Sequence, residues 1–305
     1  MRYLLLMLLI LLMGCSTGYS QVSADQEVGK MAAGEKIRAT WLWNTPIIAS
    51  EKDQIISFAK ENGINLIYLQ VNRRVVTPEQ YRAFLKSAHA AGIEVHALDG
   101  APDWALGKKQ DRLAALVTWV KDYNQSVAED ERFRGVHVDI EPYLLPEWKQ
   151  DKSAVIRQWL DNVQVLVQQA KADPELATGA DLPFWLDTLQ VPDDTGAESV
   201  SRWMARTFDH VTLMAYRNHA EGPNGILQIV SNKLAEADEL GRRIVIGVNI
   251  RESTEGDFVT FYKDGYEEME RQIAIVDDRL SGRPSYAGIS IHDYQSWRNS
   301  VENSR

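Results

Sequence analysis

The chain has 305 residues and carries 43 Asp and Glu against 33 Lys and Arg, a formal net charge of −10. So acidic a surface disfavours contact with nucleic acid or an anionic membrane face, and it better tolerates a neutral or cationic ligand. Cys15 is the only cysteine, so no disulfide staples the folded part and its stability rests on core packing.

Met1-Arg2 is a short basic start, residues 3–13 are almost unbroken apolar, and Gly14-Cys15 follow. The apolar segment is too short to remain as a spanning helix and has the shape of a signal peptide. Leu12-Met13-Gly14-Cys15 resembles the bacterial lipobox. That resemblance implies export, a lipid on Cys15, and attachment to a membrane of the bacterial cell envelope; a signal peptide cut elsewhere is the alternative. Residues 16–35 are mostly small and polar and read as a flexible tether. The expected organisation is a signal at 1–15, a tether at 16–35, and one domain over 36–305.

From residue 36 a short apolar run, a polar turn and a helix-period segment repeat. The predicted strands are 37–43, 65–71, 94–99, 135–140, 183–188, 210–216, 243–249 and 287–292. Predicted helices lie near 51–62, 77–91, 109–127, 152–172, 197–206, 224–240, 265–280 and 294–303, with Gly63, Gly92 and Gly241 at C-cap positions. Most of the strands are continuous apolar runs, as expected when both faces are buried. Eight strand–helix units in about 270 residues predict a single-domain α/β fold, the (β/α)8 TIM barrel. An open doubly wound sheet is the alternative, but its Gly-rich phosphate loop is missing after the first strand, where Trp43-Asn44-Thr45-Pro46 stands.

Chemistry in such a barrel sits at the C-terminal strand ends. There the fourth strand ends in Asp139 and Glu141, whose i, i+2 spacing puts both side chains on one face. Pro142 then stops the ladder. Two acids on one face repel, so one is expected to hold its proton near neutral pH, as acid catalysis on a glycosidic bond requires. An accidentally acidic strand end is the bland alternative. The other strand ends offer Trp43 and Asn44, then Gln70 and Asn72, then Asp99. Tyr143 follows the fourth strand and Asp187 the fifth. Met214, Tyr216 and Arg217 close the sixth, Asn249 the seventh, and Asp293 with Trp297 the eighth. Acids, amides and rings of this kind suit a glycan. Among the nine tryptophans, Trp43, Trp104 and Trp297 are candidate stacking platforms, and Trp119 and Trp159 are core candidates. His292-Asp293 with Asp99 lacks a His-x-His or His-x-x-x-His ligand spacing, so neither a metal nor another cofactor is expected.

Gly135-Val136-His137-Val138-Asp139-Ile140-Glu141 resembles the fourth-strand signature of the family 18 glycoside hydrolases, the chitinases and their relatives, which ends Asp-x-Asp-x-Glu. Met214-Ala215-Tyr216 resembles the family's Met-x-Tyr, and the Trp297 region its eighth-strand tryptophan. The resemblance implies substrate-assisted hydrolysis of an N-acetylamino sugar-containing glycan. Glu141 would be the general acid, Asp139 would orient the acetamido group, and Tyr216 would hydrogen-bond its oxygen. The chain departs from the family at His137, where an aspartate is usual, and at Arg217, which stands where an aspartate often follows the tyrosine. His137 either hydrogen-bonds Asp139 or is a core histidine. Arg217 either favours an acidic sugar or pairs with a neighbour such as Asp187. Two other readings stay open: a barrel that binds glycan without cutting it, and a two-carboxylate retaining glycosidase using Glu141 and Asp187.

Overall fold

The computed structural model describes residues 36–192 and 198–304. The signal segment, Cys15 and the tether lie outside the described residues. Among those described, no helix is long and apolar enough to cross a membrane.

Eight parallel strands close into a barrel in sequence order, with the first strand bonded to both the second and the eighth. Strand β1 (Ile37–Leu42) leads through α1 (Ile47–Ser50) and α2 (Lys52–Glu61) to β2 (Leu66–Gln70). Helix α3 (Pro78–Ala90) precedes β3 (Glu94–Asp99), and α4 (Gln110–Gln125) precedes β4 (Gly135–Asp139). After α5 (Pro146–Gln150) and α6 (Lys152–Ala170) comes β5 (Ala177–Pro183), then α7 (Val200–Thr207) and β6 (His210–Met214). Helix α8 (Ile226–Leu240), β7 (Arg243–Asn249), α9 (Gly265–Leu280), β8 (Tyr286–His292) and α10 (Tyr294–Ser304) complete the chain.

Local chemistry sets these boundaries. Thr77 and Gln80 form a reciprocal capping box at the start of α3, with Pro78 at the first helical position. Gly63, Gly92 and Gly241 turn the chain out of α2, α3 and α8 at φ of 65°, 74° and 60°, a left-handed conformation that costs glycine little.

The fifth strand corrects the sequence-based expectation. It covers 177–183 rather than 183–188, and Phe184–Thr188 is a 3₁₀ turn. The run Ala-Thr-Gly-Ala-Asp-Leu-Pro has little hydrophobic signal, whereas Phe184-Trp185-Leu186 has much. Barrel context overrides that local pattern, because the interior at Gly179 is filled by rings from neighbouring strands.

Two cores result. The larger lies between sheet and helices. The smaller fills the barrel and includes Trp41, Tyr68, Leu98 and Val245. Bulky branched residues usually dominate such an interior. Here buried polar groups share it: His96, His137, Asp181, Thr212 and Ser290. Tyr68 and Thr212 bond hydroxyl to hydroxyl across the barrel at 3.0 Å.

Candidate active site

Strand alternation puts Gly135, His137 and Asp139 on the inner face of β4, and Gly179 and Asp181 on that of β5. Parallel register sets Asp139 directly beside Asp181. Asp181 was missed by sequence reasoning, because the misplaced fifth strand made Asp187 its terminal acid. Its Oδ2 accepts a hydrogen bond from Trp41 Nε1 at 2.8 Å, and its Oδ1 lies 2.9 Å from His137 Nε2. His137 thus faces Asp181 inside the barrel and is fully buried.

The two aspartates are electrostatically one unit. Burial pushes both carboxyls well above the ordinary range, and the charge of Asp181 adds to the rise at Asp139. Asp139 Oδ1 is buried with no hydrogen-bond partner among the described residues. Gly100 permits this arrangement: a Cβ there would lie 1.9 Å from the Asp139 carbonyl oxygen.

Glu141 follows two residues on, at the entry to a 3₁₀ turn that starts at Pro142. Burial raises its pKa, the charges of Asp181 and Glu255 raise it further, and a hydrogen bond with Tyr143 partly offsets the rise. Tyr143 packs edge-on against Trp185 with centroids 5.0 Å apart. Tyr216 senses Asp181, Asp139, Glu141 and Tyr143 electrostatically, and burial leads in pushing its hydroxyl well above the usual range. The structure therefore brings Asp139, Glu141, Tyr143 and Tyr216 together as the sequence suggested, and adds Asp181.

A second group supports the opposite wall. Trp43 Nε1 donates to His292 Nε2 at 3.2 Å, and His292 Nδ1 lies 3.2 Å from Asn249 Oδ1. One neutral tautomer, protonated at Nδ1, satisfies both contacts. Burial holds the His292 pKa down to about 4. Its ring lies 5.9 Å from that of Tyr216 and so ties this wall to the acid cluster.

The remaining predicted positions divide. Met214 is half-buried at the last residue of β6, and Asp99 is half-buried at the end of β3, its carboxyl raised by burial. Gln70 is half-buried at the end of β2, where its carbonyl accepts from Thr45 Oγ1, and Asn44 is exposed. Asn72 spends its side-chain oxygen on the Arg74 backbone, and Asp293 caps Ser296. Trp104 is half-buried in a 3₁₀ turn, its carbonyl held by Asn162. Trp297 is not a platform: it is fully buried against Phe58, because α10 packs that face onto the barrel. Asp187 is ion-paired with Lys233 of α8 at 2.5 Å, rather than with Arg217. Arg217 is buried, bonds the Tyr216 carbonyl and Asn224, and stacks near Phe184 and Phe258. Two exposed rings that the sequence did not single out, Phe258 and Tyr262, stand on the segment after β7.

With this geometry, comparisons with solved structures give the fold. A family 18 chitinase from Cycas revoluta, in complex with (GlcNAc)4, superposes with a TM-score of 0.55 at 12% identity, over 87% of this chain and 97% of that one. A chitinase from Bacteroides thetaiotaomicron gives 0.56 at 12% identity, over 86% and 90%. The spore cortex-lytic enzyme SleL of Bacillus cereus gives 0.55 at 12%, over 90% and 76%. No family model and no curated protein matches the sequence. The protein has the closed (β/α)8 barrel fold that the family 18 chitinases have.

Proposed function

We propose that the protein is a glycoside hydrolase acting on an N-acetylamino sugar-containing glycan, with Glu141 as the general acid. One observation carries the reading: Glu141 stands at the C-terminal mouth of the barrel with its proton affinity raised, two residues beyond a buried carboxylate pair. The fold shared with chitinases and a cortex-lytic enzyme supports the same class of substrate.

In this mechanism Glu141 gives its proton to the glycosidic oxygen as the bond to the anomeric carbon breaks. The acetamido oxygen of the same sugar attacks that carbon from the opposite face and forms an oxazolinium ring. Asp139 accepts the acetamido N–H and offsets the positive charge, and the Tyr216 hydroxyl bonds the acetamido oxygen. Water then attacks the anomeric carbon, its proton passes to the Glu141 carboxylate, and configuration is retained. General acid catalysis supplies about 10²–10⁴-fold, and internal attack adds the gain of a tethered nucleophile.

The basic start, the apolar run and Cys15 support an exported enzyme held by lipid on a bacterial envelope membrane. The test is hydrolysis of N-acetylamino sugar oligomers with and without a thiazoline that mimics the oxazolinium. Turnover blocked by the thiazoline is expected. Turnover that ignores it points to a two-carboxylate enzyme, and binding without turnover points to a glycan-binding barrel.

A further inference from the structure

The barrel interior holds a cluster that the proposed chemistry does not use. His96 of β3, His137 of β4 and His210 of β6 converge below the carboxylates, and one ring nitrogen from each lies within 4.8 Å of the others. Their nitrogens are poorly satisfied. Both nitrogens of His96, Nδ1 of His137 and Nε2 of His210 are buried without a hydrogen-bond partner among the described residues, while Nε2 of His137 faces Asp181. The nearest anions are Asp181, 2.9 Å from His137 Nε2, and Glu94, 3.6 Å from His96 Nε2. Buried polar atoms are nearly always paired, so several orphans in one place require an explanation.

The surrounding backbone leaves room for these rings. A Cβ on Gly179 would lie 2.5 Å from both His137 Nδ1 and His210 Nε2, so the two nitrogens border the same space. A Cβ on Gly135 would lie 2.7 Å from His96 Nδ1. The Asp181 carboxylate beside His137 Nε2 favours the tautomer protonated there, which leaves the Nδ1 lone pair free. A carboxylate behind a histidine is the usual support for a metal ligand. Burial also lowers the pKa of His137 and His210, and the neutral ring is the form that binds metal.

We propose that His96, His137 and His210 form a buried site for a divalent transition metal, with zinc as the ion. Imidazole nitrogens sit about 2.0–2.1 Å from zinc, so three donors around one ion are about 3.3 Å apart. The ion would cross-link β3, β4 and β6 inside the barrel and give one nitrogen of each ring a partner. The three ligands come from three strands far apart in sequence, so no ligand spacing marks them.

The test uses the untagged full chain produced in zinc-supplemented medium. About one zinc per chain is expected, retained through dialysis against chelator under native conditions. Cobalt(II) added to chain unfolded in chelator and then refolded should give the visible d–d bands of a low-coordinate site. His96→Gln and His210→Gln should each lose the bound zinc, whereas His89→Gln and His219→Gln, outside the cluster, should keep it. Zinc should raise the wild-type Tm. The proposal is overturned by folded wild type that carries only background zinc and shows no cobalt bands, the result for rings bridged by water alone. It is equally overturned by wild-type zinc content in His96→Gln and His210→Gln. Should those variants fail to fold, the cobalt spectrum and zinc content of the wild type still decide.

Discussion

Asp139 and Asp181 are register partners on adjacent strands, and Asp181 is also held by the indole N–H of Trp41 and the ring of His137. Two carboxyls so close and so buried cannot both ionise cheaply. The pair is expected to carry a shared proton in the free protein.

Asp181→Asn breaks this unit while keeping its shape. The carboxyls of Asp139, Asp181 and Glu141 all have raised folded pKa values, so the native state holds protons that the unfolded chain has released. Their contribution to stability is complete below the unfolded value of about 4 and is lost as pH rises through the raised folded values. Tm measured against pH should therefore fall across that window. Asp181→Asn should flatten the fall and lower kcat about 10²-fold, with KM changed much less.

Glu141→Gln should lower kcat about 10²–10⁴-fold while oligosaccharide binding persists. A general acid works only while protonated, so wild-type kcat should be lost as pH rises through the raised Glu141 value. The groups that face it are Tyr143, Asp139, Asp181, Glu255 and Tyr216. A pH–rate profile checks the sign, and a rate that rises through this window instead would remove Glu141 as the acid.

Asp187→Asn should leave kcat near wild type, because Asp187 is spent on Lys233. The variant leaves a buried ammonium without its counter-charge, at a cost of about 2 kcal/mol. Paired activity and denaturant measurements separate the two effects. A large fall in kcat would restore the two-carboxylate mechanism with Asp187.

Phe258→Ala and Tyr262→Ala address the mouth of the site. These rings are 50% and 52% exposed, so loss of Tyr262 should barely change Tm, whereas loss of Phe258 should lower it modestly because that ring also stacks on Arg217. If sugar rings stack on them, each truncation should raise KM by about 2–10-fold, the equivalent of about 0.5–1.5 kcal/mol.

Gly100→Ala has no room. Its Cβ would fall 1.9 Å from the Asp139 carbonyl oxygen, and the main chain of β4 would have to shift. A loss of about 3 kcal/mol in urea unfolding is expected, with reduced activity in whatever folds.

Much of this was legible in the sequence, because strand and helix periods, glycine caps and a paired acid motif are local signals. They gave eight units, seven strands within a residue or two at each end, and Asp139 at the end of β4; Glu141, expected on the same strand face, lies just beyond the strand at the 3₁₀ turn. The failures have a common cause in long-range packing. Strand β5 is built from small and polar residues because rings from β4 and β6 occupy the space at Gly179. With β5 misplaced, Asp181 was hidden and Asp187 took its role. Trp297 read as a site tryptophan because sequence does not say which side of β8 the last helix covers. The histidine trio depends on strand register, which no spacing rule reports.

The fit between Gly135, Gly179 and the three imidazoles constrains the order in which this barrel can change. Enlarging either glycine while the rings remain forces atoms to within 2.8 Å of one another. Shrinking a ring first leaves only a void, which a chain of this size can survive for a time. Drift toward an ordinary aliphatic interior must therefore pass through the histidines before it reaches the glycines. Reconstructed ancestors or laboratory lineages that reverse that order should be dead ends unless both positions change together.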